Sequence, residues 1–469
     1  MGKRIQRAQT PDSTNHSTES GHHPPSCRRP AGRKPGPAPE YETFGRQLEA
    51  VIAHCFPELN AWFDGLPDPR RQDLCTYLGR HIWWQITLTF LLRGGSRNAF
   101  DGDRNTGQLP ANVVQLCNQI WDEIRLGTRR TVTCSENAVH HASRVAVSAV
   151  AQVPVYMVRR LIQMRMLDKG RLLDRWWLIA VDGTLQDRGH DTKEGEARHR
   201  YVLTASLVGP YGLTFPLMSE FMDMHDPVRD KEDCELNAFR RLATRLRADF
   251  PHLPICLLLD GLYPVKPVFD ICDEYEWMFV ATLREGRQPL AYDEAVQTMM
   301  MSPSHIFRGQ RNGEDGPVEQ TLRWTSDVPF GQDVFNVLFS GEISPTSATL
   351  WVWVTNLRLS DERVYAIANH GGRARQGIEN LFNVEKNGGF GLEHTFCANA
   401  QASQNYHLIM QVAFILWQLL AKGVLHRLTQ ACRKVTDVKL VELLRTSLLS
   451  VLVNPRAPAF GQMRFCSSA

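Results

Sequence analysis

Residues 176–184 read Trp-Trp-Leu-Ile-Ala-Val-Asp-Gly-Thr, and the fold turns on how this stretch is taken. Six apolar residues in a row, closed by an Asp-Gly turn signal, predict a buried strand that ends at Asp182. The pattern recurs at 254–259, Pro-Ile-Cys-Leu-Leu-Leu, and again stops at an aspartate followed by glycine, Asp260-Gly. Between the two lie strand-like runs at 201–208 and 213–218, parted by the turn Gly209-Pro-Tyr-Gly212. Residues 230–250 then carry Leu236, Phe239, Leu242 and Leu246 at helical spacing with charges between them. A short helix near 265–272 and a strand near 277–283 complete the run.

Three strands, a helix, a strand, a helix and a strand is the ribonuclease H-like order. In that order the first strand and the later parallel strand lie side by side at the sheet centre. The expected class is therefore α/β, with a ribonuclease H-like catalytic core. Acids at the carboxyl ends of central strands stand where open α/β sheets place their ligands, so Asp182 and Asp260 are expected to converge. From about 284 to 347 the alternation breaks into Gly/Pro turns and short β-type runs, which predicts a β-rich insertion before the last helices. The sequence 349–354 is one more strand.

Upstream, apolar residues at helical spacing fill 41–170, with breaks at Gly65, at Arg93-Gly-Gly-Ser-Arg97 and at Leu109-Pro110. This predicts an N-terminal helical domain. Arg93, Arg97, Arg104, Arg129 and Arg130 lie near its breaks, where contact with DNA backbone and a plain solvated surface are both open readings. Residues 1–40 hold seven Lys and Arg against three acids and almost no large apolar side chains, as in a disordered basic tail. The catalytic domain is expected at 171–425, closing with a buried apolar helix from 405. A helical segment follows at 426–469.

The third acid is expected in Arg375-Gln-Gly-Ile-Glu-Asn-Leu-Phe-Asn-Val-Glu-Lys386. Arg375, Glu379 and Lys386 are four and then seven positions apart, hence on nearly one side of a helix. Alone, such a row reads as a solvated ion-pair face, and each Asp-Gly reads as a turn. Taken together, two strand-end aspartates and a glutamate between cations form a ligand set for a pair of divalent ions. Metals held that way grip the attacking and leaving oxygens of a displacement at phosphorus.

Asp182, Asp260 and Glu379 resemble the DDE triad of bacterial insertion-sequence transposases. Arg375-x3-Glu379-x6-Lys386 is similar to the Y-x2-R-x3-E-x6-K signature of one large cut-and-paste class, which also has a β insertion before its glutamate. The signature tyrosine falls at Gly372, a departure from the pattern. The resemblance implies that Asp182, Asp260 and Glu379 bind Mg²⁺ (or Mn²⁺), and that Arg375 and Lys386 grip DNA phosphates. It also implies a homodimer acting on terminal inverted repeats and target DNA. A DNA-binding regulator that keeps the fold without transposing, and a metal-dependent nuclease, stay open as alternatives.

Composition sets outer bounds. The 469 residues are 43% hydrophobic and 22% charged, as in a globular chain of two or three domains, and a net charge of +3 does not by itself announce nucleic acid. Eleven cysteines without a C-x-x-C pair argue for reduced thiols and an intracellular protein, and the resemblance implies a cytoplasmic, nucleoid-associated one. No membrane span is expected, since the most apolar run, 408–421, is short and carries Gln411 and Gln418. No Gly-rich phosphate loop calls for a nucleotide cofactor. Trp176, Trp177, Trp351 and Trp353 read as core, His140 and His141 as surface, and the loop of Asp223, His225 and Asp226 as polar rather than metal-binding.

Overall fold

The computed structural model describes residues 42–117, 131–190, 197–222, 231–301, 305–313, 316–425 and 436–453. The basic tail, Arg129 and Arg130, the loop of Asp223, His225 and Asp226, and most of the segment 426–469 lie outside the described residues. The fold is mixed α/β. Its strands are β1 (Trp177–His190), β2 (Ala197–Val208), β3 (Thr214–Met222), β4 (Ile255–Leu259), β5 (Met278–Thr282), β6 (Ile306–Gly313), β7 (Gly316–Phe330), β8 (Asp333–Ile343) and β9 (Ala348–Thr355). They form one mixed sheet in the order β3-β2-β1-β4-β5-β9-β8-β7-β6.

At the centre, β1, β4 and β5 are parallel, while β2 and β3 run antiparallel beside β1. All five residues of β4 are buried, which is why its sequence is an unbroken apolar run rather than an alternation. β1 does not stop at Asp182, as its Asp-Gly suggested, but continues to His190. Its parallel pairing with β4 ends at Ala180↔Leu258, whereas its antiparallel pairing with β2 runs on from Leu178↔Val208 to His190↔Ala197. One remaining neighbour still satisfies half the backbone groups, so the chain stays extended through the glycine.

The residues expected as an insertion begin with a helix and then extend the same sheet. β9 joins antiparallel to β5 at Val280↔Thr355, and β8, β7 and β6 follow outward.

Before the sheet come α1 (Glu42–Cys55), α2 (Leu59–Asp64), α3 (Gly79–Leu91), α4 (Arg97–Asp103), α5 (Leu109–Leu116), α6 (Ser135–Ala142), α7 (Val147–Val150) and α8 (Gln152–Gln163). Along the sheet and after it lie α9 (Lys231–Asp249), α10 (Lys266–Tyr275), α11 (Pro289–Met301), α12 (Val364–Ala366), α13 (Gln376–Asn387), α14 (Ala400–Gln418) and α15 (Asp437–Ser450). α11 packs on β7.

α14 is buried along nearly its whole length between α3, α6, α8 and β3. The two glutamines that interrupt its apolar run are anchored to β3. Gln411 Nε2 donates to Ser219 Oγ (2.7 Å), and Gln418 Oε1 accepts from Thr214 N–H (3.1 Å). α15 returns to the start of the chain: Gly45 N–H donates to Ser447 Oγ (2.9 Å), and Asn112 Nδ2 donates to the Leu448 carbonyl (2.7 Å). Gly107, at φ +55°, sits so close under the Leu449 carbonyl that any side chain there would collide with it. No single helix among the described residues is long and apolar enough to cross a membrane.

Two surface expectations are overturned. The Arg93 side chain is buried, its guanidinium 4.2 Å from the Trp417 ring and 4.8 Å from Phe390, with Asp437 at 3.8 Å. Arg97 pairs with Glu136 (3.0 Å), and Arg104 with Asp101 (3.2 Å). His141 is also buried, against the Trp83 ring and 3.8 Å from Asp68, and burial pulls its imidazole down to about 4.

Candidate functional site

The parallel register sets the two aspartates side by side. Ala180 pairs with Leu258, so two residues further on, with the same facing, Asp182 and Asp260 stand opposite each other. The parallel ladder itself stops at Ala180↔Leu258, and the two acids lie just beyond it, near enough for the charge of Asp260 to act on Asp182. Asp260 is the first residue after β4, and its Oδ1 accepts the Leu262 N–H (2.8 Å), fixing the turn. Asp182 remains in the ladder opposite Thr204 and accepts the Gly183 N–H through Oδ1 (3.0 Å).

α13 brings the third acid. Ile378, Leu381 and Phe382 bury one side of this helix, which packs on β1, β2 and β3. Its other side carries Glu379 in the first turn, with Arg375 at the N-cap. The Arg375 guanidinium bridges: one nitrogen lies 3.4 Å from Asp182 Oδ2, and another pairs with Glu379 Oε1. Arg284 stands 3.5 Å from Asp260. The three sequence-predicted acids thus share one neighbourhood, held by arginine. Among the described residues, no three His, Cys, Asp or Glu side chains are gathered closely enough to hold a metal as they stand.

Burial raises the Asp182 carboxyl from 3.8 to about 6, against the pull of Arg375, and the nearby charges of Asp260 and Glu235 push it the same way.

Glu235 was missed by sequence reading. It is buried on α9 with its carboxylate against Gly183, and it accepts the Tyr263 hydroxyl (2.8 Å). A signal was present: Glu235, Phe239, Leu242 and Leu246 follow the i, i+4, i+7, i+11 spacing, which places an acid on the apolar stripe.

Lys386 does not join the acids. It lies two turns beyond Glu379, about 10 Å along the axis, and pairs with Glu393 (3.1 Å). Gly372, where the signature tyrosine would fall, presses against the Trp353 indole, so a side chain there would need that ring displaced. Trp353 is core as expected, while Trp351 is half-buried, stacked on Trp353 with ring centroids 6.1 Å apart.

A second charged group begins two residues before Arg375. Arg373 and Arg311 both bind Glu342, Arg311 at 2.7 Å, and Gln320 Nε2 (3.0 Å) and Ser340 Oγ (3.0 Å) donate to the same carboxylate. Burial works against the charge on Glu342, but the hydrogen bonds from Arg311 and Arg373 outweigh it and hold the carboxyl below its usual range. The group opens onto a cavity of about 390 Å³ lined also by Ser344, Thr349 and Trp351, and Arg373 lies 5.1 Å over the Trp351 ring.

Neither a scan against protein-family models nor a search of the curated proteins returns a match.

Proposed function

We propose that this chain is a DDE-type DNA transposase. It would cut phosphodiester bonds at the ends of an insertion sequence and join the freed 3′ hydroxyl to target DNA. The observation that carries this reading is the β1–β4 register, which sets Asp182 beside Asp260, with Glu379 tied to Asp182 through Arg375. The order β3-β2-β1-β4-β5, with β2 antiparallel and β4 and β5 parallel to β1, supports a ribonuclease H-like core.

The donor set suits hard divalent cations, because it is all carboxylate and carries more acid than its arginines neutralise. Two ions of Mg²⁺ or Mn²⁺ held by Asp182, Asp260 and Glu379 would supply the charge that activates the attacking oxygen and steadies the leaving one. Until then Arg375 bridges two of these acids with a single positive charge. Its planar fork suits a phosphodiester equally well, so it turns to the DNA backbone and releases Glu379. Lys386 offers a second phosphate contact further along the same side of α13. The active form is a homodimer holding two DNA ends, acting in the cytoplasm on chromosomal DNA.

The test is strand transfer from a pre-cut terminal-repeat oligonucleotide into plasmid, with Mg²⁺ or Mn²⁺. The wild-type chain is expected to give joined product, and Asp182→Ala or Asp260→Ala none, with end binding retained. Joining by either variant at the wild-type rate removes that residue from the site. One observation favours a second reading, a DNA-end binder without catalysis: among the described residues an arginine bridges Asp182 and Glu379, in place of a gathered ligand set. Specific end binding with neither cleavage nor joining would select it, and cleavage without joining would select a nuclease.

A further inference from the structure

We infer that Glu235 and Tyr263 are a positioning pair that ties the strand carrying Asp182 to the turn carrying Asp260 and so orients both acids; this rests on the metal-dependent reading above. The pair links three elements. Glu235 projects from α9 and lies against Gly183, the residue after Asp182. Tyr263 belongs to the turn that Asp260 begins, and its N–H donates to the Asp260 carbonyl (3.3 Å). The hydrogen bond from Tyr263 Oη to Glu235 Oε1 (2.8 Å) therefore ties the segment carrying Asp182 to the turn carrying Asp260.

The pair is rigid. Tyr263 is fully buried, and its ring packs on Phe239, one turn along α9 from Glu235, with centroids 5.3 Å apart. Gly183 completes the arrangement, since a Cβ there would lie 3.3 Å from the Glu235 carboxylate. Packing alone gives no reason for this choice. A buried acid beside other acids is costly, and an apolar pair of similar volume would serve the core at least as well. What the carboxylate and phenol provide is direction, as partners behind metal ligands do elsewhere.

The experiment measures Mn²⁺ binding to the full chain by electron paramagnetic resonance, with thermal unfolding alongside. Tyr263→Phe and Glu235→Ala are expected to weaken Mn²⁺ about 10- to 100-fold, the usual cost of losing such a partner. Cleavage kcat is expected to fall in the same variants with KM for DNA unchanged. Glu235→Gln keeps an oxygen for the phenol and is expected to retain most of the affinity. Wild-type Mn²⁺ affinity in Tyr263→Phe overturns the inference. So does equal damage from Glu235→Gln and Glu235→Ala, which would make Glu235 a ligand itself. Asp182→Ala separates the two levels: if it binds Mn²⁺ as the wild type does, the metal-site reading fails and the pair has nothing to position.

Discussion

Two residues apart in the chain, Arg373 and Arg375 enter groups of opposite balance. Around Arg375 the acids are in excess, with Asp182, Glu379, Asp260 and Glu235 in one neighbourhood and Arg284 as the other cation. Around Arg373 the bases are in excess, since it shares Glu342 with Arg311. The same side chain is thus a counter-ion in one group and half of a clamp in the other. Excess acid attracts a cation, whereas a carboxylate already saturated by two arginines is a fixed strut whose neighbours present donors to a cavity.

The largest effect on stability is expected at the strut. Glu342→Ala leaves two half-buried guanidiniums facing each other, and a loss of about 3 kcal/mol is expected in chemical denaturation. A loss well under 1 kcal/mol would mean that the two groups do not differ in kind.

Glu385 sharpens the comparison, because it has neither arrangement. It is buried on α13, and among the described residues neither of its oxygens has a hydrogen-bond partner. Burial raises its carboxyl from 4.5 to about 8, with Lys386 pulling slightly the other way. The unfolded chain gives up this proton near 4.5 and the folded chain holds it until about 8, so stability falls as pH rises through that window. Glu385→Gln is expected to be near neutral at pH 5 and to stabilise by about 2 kcal/mol at pH 9. Parallel stability–pH curves for the two proteins would contradict the assignment.

The smallest effect is expected at Lys386, whose pair with Glu393 is about one-third exposed on both sides. Lys386→Ala is expected to change stability by less than about 0.5 kcal/mol. Its DNA-binding salt slope is expected to fall by about one. An unchanged slope would leave Lys386 with its intramolecular pair alone.

These contrasts mark what the sequence could carry. Apolar runs located β4, β5, α9 and α13 closely, because burial on one or both faces writes itself into the chain as a period. The nearness of Asp182 and Asp260 followed from two such runs being parallel neighbours. The extent of β1 was illegible, since it depends on β2 continuing beside it after β4 has left. Arg93 and His141 read as surface because the groups that cover them, Trp417 and Phe390 for one and Trp83 for the other, lie at positions no local pattern connects. Glu235 read as one more charge on a charged helix, although its place in the apolar stripe was visible. That Arg375 bridges Asp182 and Glu379 was illegible, because spacing says which residues share a side and not which partner each one takes.

The return of α15 onto α1 and α5 has a consequence for synthesis. Helices α1 and α5, made early, present Phe44, Leu48 and Val113 to a layer that is finished only when Leu444 and Leu448 have been translated. Nascent α1 and α5 therefore wait with sticky surface uncovered for nearly the whole time of translation, a natural occasion for chaperone attendance. A message cut short before codon 437 would yield a product in which the part of that surface covered by α15 stays bare.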